Sequence, residues 1–234
     1  MLLFGWEAFR KVSVLNRPDA IVPRNDRQNQ LIGREHQVAS LVELCKSSRL
    51  IFLRGMSGVG KSAVVISGLI PELKAGRDFF PIYLSTWGVD WESGPLDELS
   101  RVTLVALRET PLQLSAAPSG AELPRILGDI RKVLGLNPVL IFDQFDEYQA
   151  RHKRRFVNNG VWISPEWLCE RNQFWKIVND ILSRGLVTCI FVVRIDSELG
   201  MLKFGALHEA TRTFDLFPLD RRWVDVALRR LTDL

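Results

Sequence analysis

The sequence predicts an α/β fold with a mostly parallel sheet, and three observations lead to it. Short, almost wholly apolar runs at Leu50–Leu53, Pro138–Phe142 and Val187–Val193 have the character of strands buried on both faces. Stretches of helical periodicity separate them. The runs deliver Gly55, Asp143 and Arg194 just past their C-terminal ends, where open parallel sheets bind ligands.

Each element can be read in turn. Residues 1–30 read as an extension or linker: a short apolar segment, then Asn16-Arg17-Pro18-Asp19 and the polar stretch Pro23–Gln30. From Leu31 the pattern becomes regular. Glu35–Cys45 has helical periodicity, and Leu50–Leu53 is a strand closing on Gly55. Ser62–Leu73 reads as a helix, Phe79–Leu84 as a second strand, and Trp87–Pro95 as a loop rich in Trp, Gly and acid. Leu96–Leu107 and Leu123–Leu134 are helices joined by the Pro/Ser/Gly/Ala stretch Pro111–Gly120. Then come a third strand, Pro138–Phe142, a helix, Pro165–Leu182, a fourth strand, Val187–Val193, and a fifth, Thr213–Phe217. Asp220–Leu231 is a last helix. Such alternation implies right-handed crossovers that cover both faces of the sheet.

Composition sets limits. With 234 residues, 47% of them hydrophobic, the chain can bury one full core. The net charge of +4 is mild and spread along the chain, so it permits contact with nucleic acid without arguing for it. Three cysteines, Cys45, Cys169 and Cys189, have no metal-like spacing, and Cys45 and Cys189 lie among apolar residues as core thiols. A reducing, cytoplasmic setting is the expectation. The N-terminal run carries Glu7 and no small-residue cleavage site, so it does not read as a signal peptide. No window approaches the roughly 18 apolar residues of a membrane span. His36, His152 and His208 form no metal or triad pattern, and no nucleophilic Ser or Cys constellation stands out.

Gly55-x-x-x-x-Gly60-Lys61-Ser62 has the spacing of a phosphate-binding loop, the P-loop. Its glycines let main-chain N–H groups turn toward a phosphate without a Cβ in the way. The helix opening near Lys61 aims its positive end at the same anion. Lys61 can reach the β- and γ-phosphates, and Ser62 can offer its hydroxyl to Mg²⁺. A strand before the motif and a helix after it supply the context that an accidental match lacks.

The run Val139–Phe142 then delivers Asp143, Asp146 and Glu147. Asp143, first after the apolar run, is the candidate metal acid, usually acting through water. Either Asp146 or Glu147 can polarise an attacking water. The alternative for all three acids is simply to cap the following helix. Arg194, at the end of the fourth strand, either meets a γ-phosphate or pairs with Asp196 on the surface.

In this order, Leu31-Ile32-Gly33-Arg34-Glu35, the P-loop strand, Asp143-x-x-Asp146-Glu147 and the strand ending in Arg194 resemble STAND-type NTPases. These are signal-transduction ATPases related to AAA+ proteins, and they include the NACHT and NB-ARC groups. The resemblance covers about Leu31 to Leu228, with Phe217-Pro218-Leu219 similar to the start of a helical lid. It implies a P-loop NTPase fold with a parallel five-stranded sheet in the order 5-1-4-3-2. The implied division is an extension at 1–30, an α/β domain at 31–217 and the beginning of a lid at 218–234.

Carried over residue by residue, the resemblance places Ile32, Gly33 and Arg34 by the adenine. Gly55, Ser57, Gly58, Val59, Gly60, Lys61, Ser62 and Ala63 hold the nucleotide phosphates. Ser62 and Asp143 attend Mg²⁺, Asp143 as the Walker B acid. Asp146 or Glu147 serves hydrolysis, and Arg194 takes the sensor-1 position. The implied cofactors are ATP or ADP with Mg²⁺, and the implied partners are other copies of the chain or effector and sensor domains of a longer one. One departure bears on turnover. AAA+ motors carry a glutamate directly after the Walker B Asp, where this chain has Gln144, which cannot take a proton.

The resemblance therefore implies a slowly hydrolysing nucleotide switch. Two other readings stand beside it. Mild basicity and the run Arg151-His152-Lys153-Arg154-Arg155 suit a DNA-associated AAA+ ATPase, although a solvated helix or loop face explains that run better. Gln144 suits a scaffold that binds nucleotide and never hydrolyses it. Trp87, Trp91, Trp162 and Trp167 lie in or near loops, where packing beneath the loop is the default over a contact surface.

Overall fold

The computed structural model describes residues 33–158, 160–195 and 211–220. Ile32, the extension at 1–30 and nearly all of the helix expected at Asp220–Leu231 lie outside the described residues.

Seven strands are described: β1 (Leu50–Gly55), β2 (Phe79–Leu84), β3 (Asn137–Phe142), β4 (Val157–Asn158), β5 (Val161–Trp162), β6 (Thr188–Arg194) and β7 (Thr211–Asp215). β4 and β5 pair as a small antiparallel hairpin that the sequence reading did not anticipate. The other five form one parallel sheet in the order β2-β3-β6-β1-β7. Numbered along the chain and counted from the β7 edge, its strands run 5-1-4-3-2.

Alternation along each strand divides the core into two layers. Phe52, Leu140, Phe142, Phe191 and Val193 face one side. Ile51, Leu53, Ile141, Ile190 and Val192 face the other. On the second side lies α1 (Glu35–Ser47), which buries Val38, Leu41 and Cys45 at helical spacing. There too lies the helix that leaves the P-loop, through Val64, Val65 and Leu69. That helix is continuous over residues 61–75 but not uniform. α2 (Lys61–Ala63) passes into a π segment (Val64–Leu69) and then α3 (Ile70–Ala75). The Ile70 N–H reaches back to Val65 O, and Pro71 follows at once. Proline cannot donate, and its ring crowds the carbonyl four residues back, so the wider turn ahead of it accommodates the ring.

The first side is covered by α4 (Gly94–Leu107), α5 (Leu123–Asp129) with its π extension Ile130–Leu134, α6 (Phe145–Arg151), α7 (Lys153–Phe156), α8 (Pro165–Arg171) and α9 (Gln173–Ser183). The expected single helix Pro165–Leu182 is thus two, and Asn172 is the cause. Its backbone is extended (φ −143°, ψ 120°), and its Oδ1 accepts from the N–H groups of Phe174 and Trp175. It is the N-cap of α9, a role that excludes it from a helix interior.

Packing under the loop at residues 85–93 is aromatic. Trp87 and Trp91 are buried rather than displayed. Trp91 stacks on Tyr148 with ring planes 2° apart and centroids 5.6 Å apart, and Trp87 stacks on the same ring at 5.3 Å. The loop backbone is tied down as well. Trp91 O accepts from Tyr148 Oη (2.9 Å) and Asn172 Nδ2 (2.6 Å), and Trp87 O accepts from Arg151 Nη1 (2.7 Å). One member of the basic run is therefore a structural clasp, while Lys153, Arg154 and Arg155 are exposed. Cys45, Cys169 and Cys189 are free thiols, and burial pushes the Cys45 thiol up to about 12. Among the described residues, no helix is long and apolar enough to cross a membrane.

Candidate functional site

The P-loop spans the turn between β1 and α2. Gly58 (φ 75°) and Gly60 (φ 92°) hold left-handed backbone, and a side chain at either would point into open space. Among the described residues, the N–H groups of Gly58, Gly60 and Ser62 meet no protein acceptor. The result is a concave stretch of main chain with free donors at a helix start, suited to an anion. Lys61 Nζ donates to Gly55 O (3.0 Å) and Met56 O (2.9 Å), so its cation lies across the mouth of the loop. Ser62 is half-buried, whereas Ser57 and Ala63 are exposed.

Arg34 supports the loop from outside. It is nearly fully buried, and its Nη2 donates to Val59 O (3.1 Å), joining the start of α1 to the P-loop. Burial lowers the affinity of its guanidinium for the proton. Gly33 lies beside it (φ 73°), its N–H donating to Glu35 Oε1 (3.2 Å).

Asp143 follows β3 and is 1% exposed. Phe142 is in register with Phe191, and Phe191 with Phe52. Asp143 therefore leaves the sheet level with Leu53, about 10 Å across from it and about 7 Å below Gly55. By the alternation of β3 it shares a face with Ile141, the face that carries the P-loop helix. Its oxygens are held by neutral donors: Gln144 N–H to Oδ1 (2.8 Å) and Tyr83 Oη–H to Oδ2 (2.7 Å). Its main chain is fixed too. Its N–H donates to Leu84 O (2.8 Å), and its carbonyl accepts from Trp87 Nε1 (2.7 Å). Among the described residues, no lysine or arginine forms an ion pair with it. A buried carboxylate with neutral partners alone lacks a counter-charge, which a divalent cation would supply. The donor set, a carboxylate oxygen with a hydroxyl from Ser62, fits Mg²⁺.

Gln144 takes a left-handed conformation (φ 53°, ψ 32°) and stands at the N-terminus of α6. Such backbone costs roughly 1–2 kcal/mol in a non-glycine residue. The two acids that follow differ in burial. Glu147 is exposed, whereas Asp146 is half-buried. Burial is the main cause that raises the Asp146 pKa. The nearby charges of Lys61 and Arg194 oppose the shift, and that of Asp143 adds to it. Asp146 thus lies within electrostatic reach of the P-loop, the metal-acid candidate and the end of β6.

Arg194 stands in register with Gly55, and the next N–H, that of Ile195, donates to Gly55 O (3.4 Å). On the far side of β1, Leu216 N–H donates to Arg54 O (2.7 Å), while Arg54 Nε and Nη2 grip both oxygens of Asp215 at 2.7 Å.

Of the residues expected from sequence, the structure brings Arg34, Gly55, Val59, Gly60, Lys61, Ser62, Asp143, Asp146 and Arg194 around the C-terminal ends of β1, β3 and β6. Ile32 and Asp196 lie outside the described residues. Tyr83 and Trp87, both bonded to Asp143, were not foreseen. The signal that could have found them is the strand order itself, which sets the end of β2 beside the end of β3.

The chain matches the family described as Novel STAND NTPase 1 over residues 24–230. It belongs to that family. Among functionally curated proteins, none matches it. This STAND NTPase shares its fold with the ORC2 protein of Aeropyrum pernix, seen in ADPNP–ADP complexes, at 14% identity and a TM-score of 0.56 over 92% of this chain and 55% of that one. A Walker-type ATPase of Pyrococcus abyssi is similar at 18% identity and 0.56, over 90% and 61%. Cdc6p of Pyrobaculum aerophilum follows at 17% and 0.53, over 92% and 53%. The STAND chain spans little more than half the length of these structures.

Proposed function

We propose that this STAND NTPase is the nucleotide-switch module of a signalling ATPase, binding ATP or ADP with Mg²⁺ and hydrolysing ATP slowly. The observation that carries this reading is the register of β1, β6 and β3, which sets the P-loop, Arg194 and Asp143 at neighbouring strand ends. Three motifs far apart in sequence thus meet, with the half-buried Asp146 one turn beyond Asp143.

Each residue then has a task. The N–H groups of Gly58, Gly60 and Ser62 cradle the phosphates, and Lys61 turns from Gly55 O and Met56 O to the terminal phosphate. Ser62 and Asp143 would hold Mg²⁺, which supplies neutralisation of the charge that builds on the phosphate oxygens. Asp146, rather than exposed Glu147, orients the attacking water, and its raised pKa makes it a better proton acceptor. Arg194 leaves β6 level with Gly55 and lies where it can sense the γ-phosphate. Gln144 holds the place of a motor glutamate in strained backbone, which suits slow turnover. The extension at 1–30 and the segment 218–234 are proposed as linker and lid, with a longer chain or further copies as partners.

Single-turnover phosphate release tests this. Wild type should release phosphate from bound ATP, and Asp146→Asn should slow release by about 10²-fold or more. Equal rates would refute the hydrolytic role of Asp146. No release by wild type would leave a nucleotide-binding scaffold.

A further inference from the structure

We propose that Tyr83 is a positioning residue for the metal-site carboxylate, acting on bound Mg²⁺ through Asp143. The inference rests on the nucleotide-site reading above and adds to it a residue outside every nucleotide motif.

Tyr83 lies on β2, at the edge of the sheet, in register with Ile141. Asp143 is two residues beyond Ile141 on the same strand face. That diagonal is roughly 7–8 Å between backbones, a span that only a long side chain crosses. The Tyr83 phenol crosses it, and its hydroxyl donates to Asp143 Oδ2 at 2.7 Å. The ring packs against the core layer formed by Ile141 and the P-loop helix, so its direction is fixed. With Gln144 N–H on Oδ1, the two bonds lock the plane of a carboxylate that is itself buried.

Each carboxylate oxygen can accept twice, so neither bond removes the group's capacity to face a metal-bound water. They limit instead which lone pairs remain available, and hence where the metal stands. Metal-ligating carboxylates depend on such outer partners, whose loss typically costs 10- to 100-fold in metal affinity. Phenylalanine at position 83 would keep the packing and release Oδ2.

The test is calorimetric titration of a non-hydrolysable ATP analogue into the full chain, with Mg²⁺ and with EDTA. Wild type and Tyr83→Phe should bind alike in EDTA, to within about twofold. The gain in affinity on adding Mg²⁺ should fall by about tenfold or more in Tyr83→Phe. A wild type that gains from Mg²⁺, with Tyr83→Phe gaining equally, overturns the inference and leaves the nucleotide site standing. A wild type that gains nothing overturns the metal-site reading and this inference with it. A second readout needs no change at position 83. The chain has only two tyrosines, Tyr83 and Tyr148, so 3-fluorotyrosine labelling gives two ¹⁹F resonances, assigned with Tyr148→Phe. Adding Mg²⁺ to the analogue-bound protein should move the Tyr83 resonance and leave the other in place. An unmoved Tyr83 resonance at saturating Mg²⁺ counts against the proposal.

Discussion

The carbonyl of Leu216 stands 2.7 Å from the point where a Cβ on Gly55 would lie. The first glycine of the P-loop is therefore a packing requirement as much as a conformational one, since the chain leaving β7 crosses directly over it. Val59 Cγ1 closes the same space at 2.9 Å. Gly55→Ala must push the loop away from this crossing. The expected cost is about 1–3 kcal/mol, or a fall in Tm of roughly 3–10 °C for a chain of this size. Thermal unfolding without nucleotide measures it.

Asp146 should make stability depend on pH. Its folded pKa is raised, chiefly by burial, so the folded state favours the protonated acid. The group's favourable contribution is full below the ordinary carboxylate pKa and is lost as pH rises through the folded value. At neutral pH, Asp146→Asn should raise Tm above wild type, and the difference should shrink as pH falls toward about 4. Unfolding curves across that range give the sign directly.

Arg194 and Asp146 should be coupled. The charge of Arg194 holds the Asp146 pKa down against burial. In Arg194→Ala the pKa should rise further, so the acid limb of the phosphate-release profile should shift to higher pH. A lower rate with an unshifted limb would show that Arg194 acts on the phosphate alone.

Asn172 ties α9 to the loop at residues 85–93. Its Oδ1 caps α9, and its Nδ2 binds Trp91 O at 2.6 Å, with 2% of the residue exposed. Asn172→Ala should cost about 1–3 kcal/mol, from the lost cap and one lost bond to Trp91 O, which keeps its bond from Tyr148 Oη. Aspartate restores the cap but cannot donate to Trp91 O. Asn172→Asp also buries a charge against Trp91 O, so its Tm should lie below wild type at neutral pH and recover as pH falls toward about 4.

Asn172 also shows why part of the fold was hidden in the sequence. Periodicity runs straight through it, because apolar residues on both sides keep helical spacing, while its extended backbone is held by its own cap and by a bond to a loop some eighty residues away. β1, β3 and β6 are legible because burial on both faces leaves continuous apolar runs, and Phe79–Leu84 has the bounds read from the sequence. The partly exposed edge strand β7 lacks that signal, and it lies at Thr211–Asp215 rather than the expected Thr213–Phe217. The P-loop was legible because its chemistry is local. The difference between Asp146 and Glu147 is not legible in the sequence, since one is half-buried and the other exposed only once the helix after β3 is folded against the site. Tyr83 was hidden for a similar reason: its role comes from the neighbouring strand's register, not from its own surroundings.

The central claim, that this loop and these acids hold a magnesium nucleotide, is tested most directly by calorimetric titration of Mg·ATP into wild type and Lys61→Ala. Lys61 is partly exposed and its side chain bonds carbonyls of the loop itself, so the variant should fold with Tm lowered by no more than a few degrees. The expected result is saturable binding by wild type and a roughly 10- to 100-fold loss in the variant. Identical titrations from the two proteins would contradict the claim.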